Sequence, residues 1–230
     1  MRVVCISDTH NCNLEKLKLP EGDILLHSGD FSMNGTIPEV SQFNEQCGKI
    51  KNRYTHGIYT CAGNHDFLAE TDEALCRSLM PNCNLLIDKS IEIDGVKFYF
   101  SPWTPWFFSW AFNFEEQNIE QAQRCWANIP DDTNVLITHG PPRKILDRTP
   151  DHYAHMGRNV GCGQLFSRTV KLRNLLLHSF GHIHNSRNVE RFNNKLFVNA
   201  SICTEQYKPT NAPIIVDIDV KQLKVINYVL

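Results

Sequence analysis

Two hydrophobic patterns alternate along the chain. Residues 3–7, 24–27, 58–62, 135–138 and 175–180 are apolar at consecutive rather than alternate positions and run into glycine or polar residues. Strands buried on both faces of a parallel sheet look like this. Between them lie stretches with helical spacing. Val40, Phe43, Cys47 and Ile50, following Pro38-Glu39, predict one helix, and Ile119, Ala122, Trp126 and Ile129 predict another that Pro130 closes. A third is expected to start near Thr71, where Asp72 and Glu73 suit a first turn, and a fourth to cover 164–174. Towards the C-terminus, 196–198, 214–220 and 223–229 are separated by turns and predict paired strands. The expected class is α/β with a β-rich finish, one domain over 1–230.

Composition narrows the class further. The chain has 230 residues, 42% hydrophobic and 21% charged, a size and mixture that fit one globular domain and exclude disorder, collagen and coiled coil. A net charge of −2 argues against a face for extended nucleic acid. The nine cysteines are odd in number and contain no CxxC, so they read as reduced thiols of a cytoplasmic protein. The first apolar run stops at Ser7-Asp8, as a strand does and a signal peptide does not. No apolar run approaches the roughly 20 residues of a membrane helix, so no membrane partner is expected.

The candidate chemistry stands at the strand ends. The five runs are followed in turn by Asp8-Thr9-His10, Gly29-Asp30, Gly63-Asn64-His65-Asp66, His139-Gly140 and Gly181-His182-Ile183-His184. Ligands of open α/β sheets bind beyond the carboxyl ends of strands. Here every such end carries a residue able to ligate a metal. Carboxylate, amide and imidazole donors without thiolate suit Mn, Fe, Zn, Ni or Co better than Ca or a structural zinc. About seven donors exceed what one ion takes, which points to two ions, with Asp30 as the natural shared carboxylate.

The order D-x-H, G-D, G-N-H-D, H-G and G-H-x-H resembles the calcineurin-like metallophosphoesterase superfamily. Gly161-Cys162, Asn199-Ala200-Ser201, residues 209–213 and the aromatic stretch 101–106 are similar to its small metallophosphoesterase-domain-containing, class III cyclic nucleotide phosphodiesterase-like group. The resemblance implies a two-sheet β-sandwich flanked by helices. It implies one metal on Asp8, His10, Asp30 and His184 and a second on Asp30, Asn64, His139 and His182, with manganese favoured. It also implies hydrolysis of a small phosphoester by a hydroxide between the metals. A phosphodiester such as a cyclic nucleotide is favoured; a monoester phosphatase and a non-catalytic scaffold are the alternatives. Asn64 would stabilise the transferring group, His65 would protonate the leaving oxygen, and Asp66 would orient the His65 ring.

The polar stretch 143–160 follows a candidate ligand, and Arg143, His155 and Arg158 are candidate substrate contacts. The aromatic run Trp103, Trp106, Phe107, Phe108, Trp110 and Phe112 is expected to fill core under a loop, with base stacking or a subunit contact as alternatives. Cys12, close to His10, is expected to be structural.

Overall fold

A computed structural model describes residues 1–115, 118–150 and 158–230. The strands are β1 (Arg2–Ile6), β2 (Ile24–His27), β3 (Ile58–Thr60), β4 (Asn84–Leu85), β5 (Lys89–Ile93), β6 (Val96–Ser101), β7 (Val135–Thr138), β8 (Leu177–Phe180), β9 (Asn188–Phe192), β10 (Lys195–Asn199), β11 (Ile214–Asp219) and β12 (Lys224–Val229). They form two mixed six-stranded sheets, in the orders β12-β11-β1-β2-β3-β4 and β5-β6-β7-β8-β10-β9. The centres are parallel: β1, β2 and β3 in the first sheet, and β6, β7, β8 and β10 in the second.

Pleating explains why the central runs are apolar throughout. Val3 and Cys5 of β1 join Leu26, Phe98, Ile137 and Val198 in a core between the two sheets. Val4 and Ile6, on the opposite face, pack with Val40, Phe43, Cys47 and Ile50 of helix α1 (Ile37–Ile50). The outer face of the second sheet does the same: Tyr99 and Leu136 meet Ala122 and Trp126, borne by α4 (Ile119–Ala127), and Leu165, borne by α5 (Gly163–Lys171). The result is the helix–sheet–sheet–helix sandwich that the resemblance implied.

The helices start where sequence chemistry says they should. The Thr36 N–H donates to Glu39 Oε2 at 2.9 Å and Pro38 sits in the first turn of α1. Asn118 Oδ1 takes the Gln121 N–H of α4 at 2.9 Å. The single helix expected near Thr71 is two short ones, α2 (Phe67–Thr71) and α3 (Glu73–Ser78), because Asp72 leaves helical geometry to accept the Leu75 N–H. Strands β4, β5, β6 and β9 were not read from the sequence. β5 and β6 form a hairpin about Asp94-Gly95, both with positive φ (51° and 76°). An Asp-Gly pair suits that turn, and it is the signal that could have found the hairpin.

Hydrogen bonds join the carboxyl ends of the two parallel centres. Ser28 and Ser179 hydroxyls meet across the sheets at 2.9 Å, and Ile202 N–H, past β10, donates to Ser7 O, past β1, at 2.9 Å. No helix among the described residues is long and apolar enough to cross a membrane.

Candidate metal centre

The chain turns sharply after its central strands. Asp8, His10, Asp30 and His182 all adopt left-handed backbone, with φ of 53°, 42°, 58° and 68°. Such residues cost of order 1–3 kcal/mol each and persist only where their surroundings enforce them. Two glycines let the carboxylates come close. A Cβ at Gly63 would lie 2.2 Å from Asp30 Oδ1, and one at Gly181 would lie 2.0 Å from Asp8 Oδ2.

Ligand atoms converge as a consequence. Asp8, His10 and His184 lie within 4.8 Å of one another, as do His10, Asp30 and His65, and Asp8, Asp30 and His139. The triads share members, so they are one cluster drawn from both sheets. Three of its rings are aimed by backbone carbonyls. Nδ1–H of His139 donates to Ser28 O at 3.0 Å, that of His184 to Thr204 O at 3.0 Å, and that of His65 to Met33 O at 2.7 Å. A carbonyl only accepts, so each Nδ1 carries the proton and each Nε2 is left facing inward, as in metal-ligating histidines. Ser201 Oγ–H and the His182 N–H donate to Asp8, at 2.7 and 3.0 Å to Oδ2.

These donors fit a cation. His139 Nε2 lies 2.8 Å from Asn64 Oδ1 and 3.3 Å from Asp30 Oδ2. With Nδ1–H already committed, a neutral ring has no proton for either oxygen. His184 Nε2 likewise lies 3.3 Å from Asp8 Oδ1 and 3.2 Å from His10 Nε2. The buried Nδ1 of His10 has no hydrogen-bond partner among the described residues. Positive charge between these atoms resolves the conflicts. With no cation between them, a proton supplies the positive charge the carboxylates call for. Burial opposes protonation of His139, yet the charge and hydrogen bond of Asp30, with Asp8, lift it to about 9. Burial would raise Asp8, but His184, His139 and His10 hold it well below the usual carboxylate range. Burial pushes His10 down to about 4 and His182 to about 3, against the attraction of the two carboxylates.

Some expected placements differ. Asp66 does not orient the His65 ring. Its carboxylate accepts from the N–H groups of Gly63, Asp30 and Ser32 at 2.8, 2.9 and 3.0 Å and from Ser32 Oγ–H at 2.5 Å. Those donors occupy it as a brace between two ligand-bearing loops, and the Met33 carbonyl holds the ring instead. His65 belongs to a triad of ligating atoms, although the sequence reading set it outside the ligand set. His182 stands at the edge of the cluster, its ring packed against that of His139 with centroids 5.0 Å apart. Arg143 and Arg158 are exposed, and His155 and its neighbour His152 lie outside the described residues.

The aromatic run divides. Phe112 is buried and Trp103 packs on the core, but Trp106, Phe107 and Phe108 are exposed. Phe107, Phe108 and Trp110 line a groove of about 520 Å³ with Phe67 and Ser109. The Trp110 ring lies 4.2 Å from that of His65. An apolar run on a loop, without period, gave no way to tell these faces apart. Tyr207 was not singled out from the sequence; its ring meets those of His10 and His184 at 4.8 and 5.8 Å. The Thr204, Ser28 and Met33 carbonyls carry no side-chain signal.

A family model described as calcineurin-like phosphoesterase matches residues 1–186. Human metallophosphoesterase domain-containing protein 1 is 35% identical over 240 residues, covering 94% of this chain and 71% of that protein. The Caenorhabditis elegans UPF0046 protein K07C11.7 is 35% identical, covering 97% of this chain and 77% of its own length. Among solved structures, phosphopantetheinyl hydrolase from Mycobacterium tuberculosis superposes with a TM-score of 0.56 at 14% identity, over 89% of this chain and 90% of that one. At that identity the likeness concerns the fold alone.

Proposed function

Because the chain belongs to the calcineurin-like phosphoesterase family, we propose that it hydrolyses small phosphodiesters, cyclic nucleotides among them, with two divalent or transition metal ions, manganese favoured. The observation that carries the reading is His139 Nε2, held between the oxygens of Asn64 and Asp30 with its own proton spent on Ser28. One ion would rest on Asp8, His10, Asp30 and His184, the other on Asp30, Asn64, His139 and His182. Bound there, the ions supply a water acidified toward neutrality and neutralise phosphoryl oxygens.

The chain's own residues do the rest. Asp30 is the shared carboxylate. The Asn64 amide N–H groups are free to meet charge developing on the transferring group, since its Oδ1 faces His139. His65, its Nδ1–H held by Met33 and its ring tilted against that of Trp110, acts as the imidazolium: it hands the Nε2 proton to the leaving oxygen and keeps the one on Nδ1. Asp66 keeps the Asp30 and Gly63 loops in register. The pairing of β1 with β11, which lies beyond residue 186, supports 1–230 as one domain. Nine free thiols support a cytoplasmic setting.

The test is hydrolysis of bis-p-nitrophenyl phosphate against p-nitrophenyl phosphate on metal-stripped protein titrated with Mn²⁺. Diester cleavage that requires Mn²⁺, vanishes in Asp30→Ala, and falls at least 100-fold in His65→Ala with Mn²⁺ still bound is the expected result. Preference for the monoester would replace the diesterase by a phosphatase. Mn²⁺ binding with no turnover of either ester would reject the catalytic reading.

A further inference from the structure

Two of the nine cysteines lie against each other at the margin of the centre. Cys12 Sγ is 3.6 Å from Cys203 Sγ. Cys12 is half-buried, while Cys203 is fully buried. Each belongs to a loop that serves the same ligands. Cys12 stands two residues past His10 and donates its N–H to Thr9 O at 2.7 Å. Cys203 precedes Thr204, whose carbonyl aims His184, and its own thiol reaches Thr9 O at 3.8 Å. Neither cysteine is in a strand or helix, so neither is held by ladder hydrogen bonds.

We propose that Cys12 and Cys203 form a reversible oxidation site for hydroperoxides, and that their disulfide weakens the Asp8–His10–His184 half of the metal centre. The Cys12 thiolate attacks the peroxide oxygen, the O–O bond breaks, and water or an alcohol leaves with Cys12 as a sulfenic acid. Cys203 sulfur then attacks the sulfenic sulfur, and the hydroxyl departs as water with the Cys203 proton. Two thiols are oxidised and one hydroperoxide is reduced. The bond needs sulfurs about 2.05 Å apart, so they must close by about 1.5 Å. Whatever rotation of the two side chains does not supply falls on the loops that place His10 and the Thr204 carbonyl, and a small fraction of that closure already exceeds the roughly 0.2 Å window of a metal–ligand distance. The effect on metal rests on the ligand assignment proposed above; the covalent step does not.

The experiment exposes the full chain to graded hydrogen peroxide, alkylates the remaining thiols and maps tryptic peptides by mass spectrometry, with Mn²⁺ affinity measured by calorimetry before and after. Cys12 shares peptide 3–16 with Cys5, so fragment ions must place the link. A Cys12–Cys203 link that forms first, at least tenfold weaker Mn²⁺ binding, and recovery of both with dithiothreitol are expected. Cys12→Ser and Cys203→Ser should each form no link and keep their Mn²⁺ affinity under the same peroxide. A first link elsewhere, or Cys12 passing to sulfinic acid unlinked, overturns the site. A link that leaves Mn²⁺ affinity unchanged overturns its coupling to the metal. Protein that binds no Mn²⁺ even when reduced counts against the ligand assignment, and the link is then judged by mass alone.

Discussion

Replacing Gly181 by alanine tests whether the carboxylates are placed by the close approach of bare backbone. The backbone of Gly181 is not left-handed, so alanine introduces no φ penalty. The difficulty is space. The new Cβ would lie 2.0 Å from Asp8 Oδ2 and 2.2 Å from Ser7 Oγ, whereas ordinary contact begins near 3.4 Å. Asp8 cannot swing aside freely, because Ser201 Oγ–H and the His182 N–H both hold Oδ2. Its carboxylate must retreat by more than 1 Å, several times the roughly 0.2 Å that a metal ligand tolerates. The expected loss is at least 100-fold in Mn²⁺ affinity for one of two sites. Overpacking of this kind destabilises by about 1–3 kcal/mol, which for a chain of 230 residues is a fall of roughly 2–12 °C in Tm. Calorimetric titration with Mn²⁺ reads the affinity, and thermal melts with and without chelator read the stability. Gly163→Ala is the control, since its Cβ would meet nothing nearer than Arg143 Cδ at 3.9 Å. Wild-type Mn²⁺ affinity in Gly181→Ala, or equal loss in Gly163→Ala, would refute the reasoning.

Metal removal should lower stability in its own right: a ligand at 100 times its Kd adds about 2.7 kcal/mol to the folded state, or about 5–11 °C in Tm at this size, and identical melts with chelator and with saturating Mn²⁺ would exclude metal binding to the folded chain. His178 should make the protein acid-sensitive. It is fully buried against Phe180 and Phe197, and burial lowers its pKa to about 3. An unfolded histidine titrates near 6.5, so below that pH the unfolded state binds the extra proton and stability falls as pH falls. Urea titrations should show the wild type losing about 2 kcal/mol more than His178→Gln between pH 7 and pH 5; parallel curves would mean that the folded ring takes up its proton as readily as the unfolded one.

Legibility followed burial. The five central strands were readable because a strand covered on both faces has no polar alternation to confuse it, and because the chain must turn where its ligands begin. The edge strands were not, since β5 alternates exposed and half-buried positions and β4 spans only Asn84–Leu85. Side-chain donors of the centre were visible as residue types at strand ends. Their aim was not, because it comes from the carbonyls of Ser28, Met33 and Thr204, which any residue type would supply. Asp66 shows the limit most clearly. Its place beside His65 in G-N-H-D suggested a direct partnership, but the turn after β3 sends the two side chains apart, and Asp66 meets the Asp30 loop instead.

The hairpin at Asp94-Gly95 has a practical consequence. Since β6 runs parallel to β7, its first residue lies at the end of the sheet away from His139, and the hairpin tip just before it shares that end. Gly95 has open space around its Cβ direction. A dye, a biotin-bearing peptide or a fused domain inserted at this tip would hang from the far pole of the molecule. Anchored there to a solid support, the protein would present its ligand cluster to the bulk solution, which suits surface-based titration of metals and esters without masking the loops proposed to bind them.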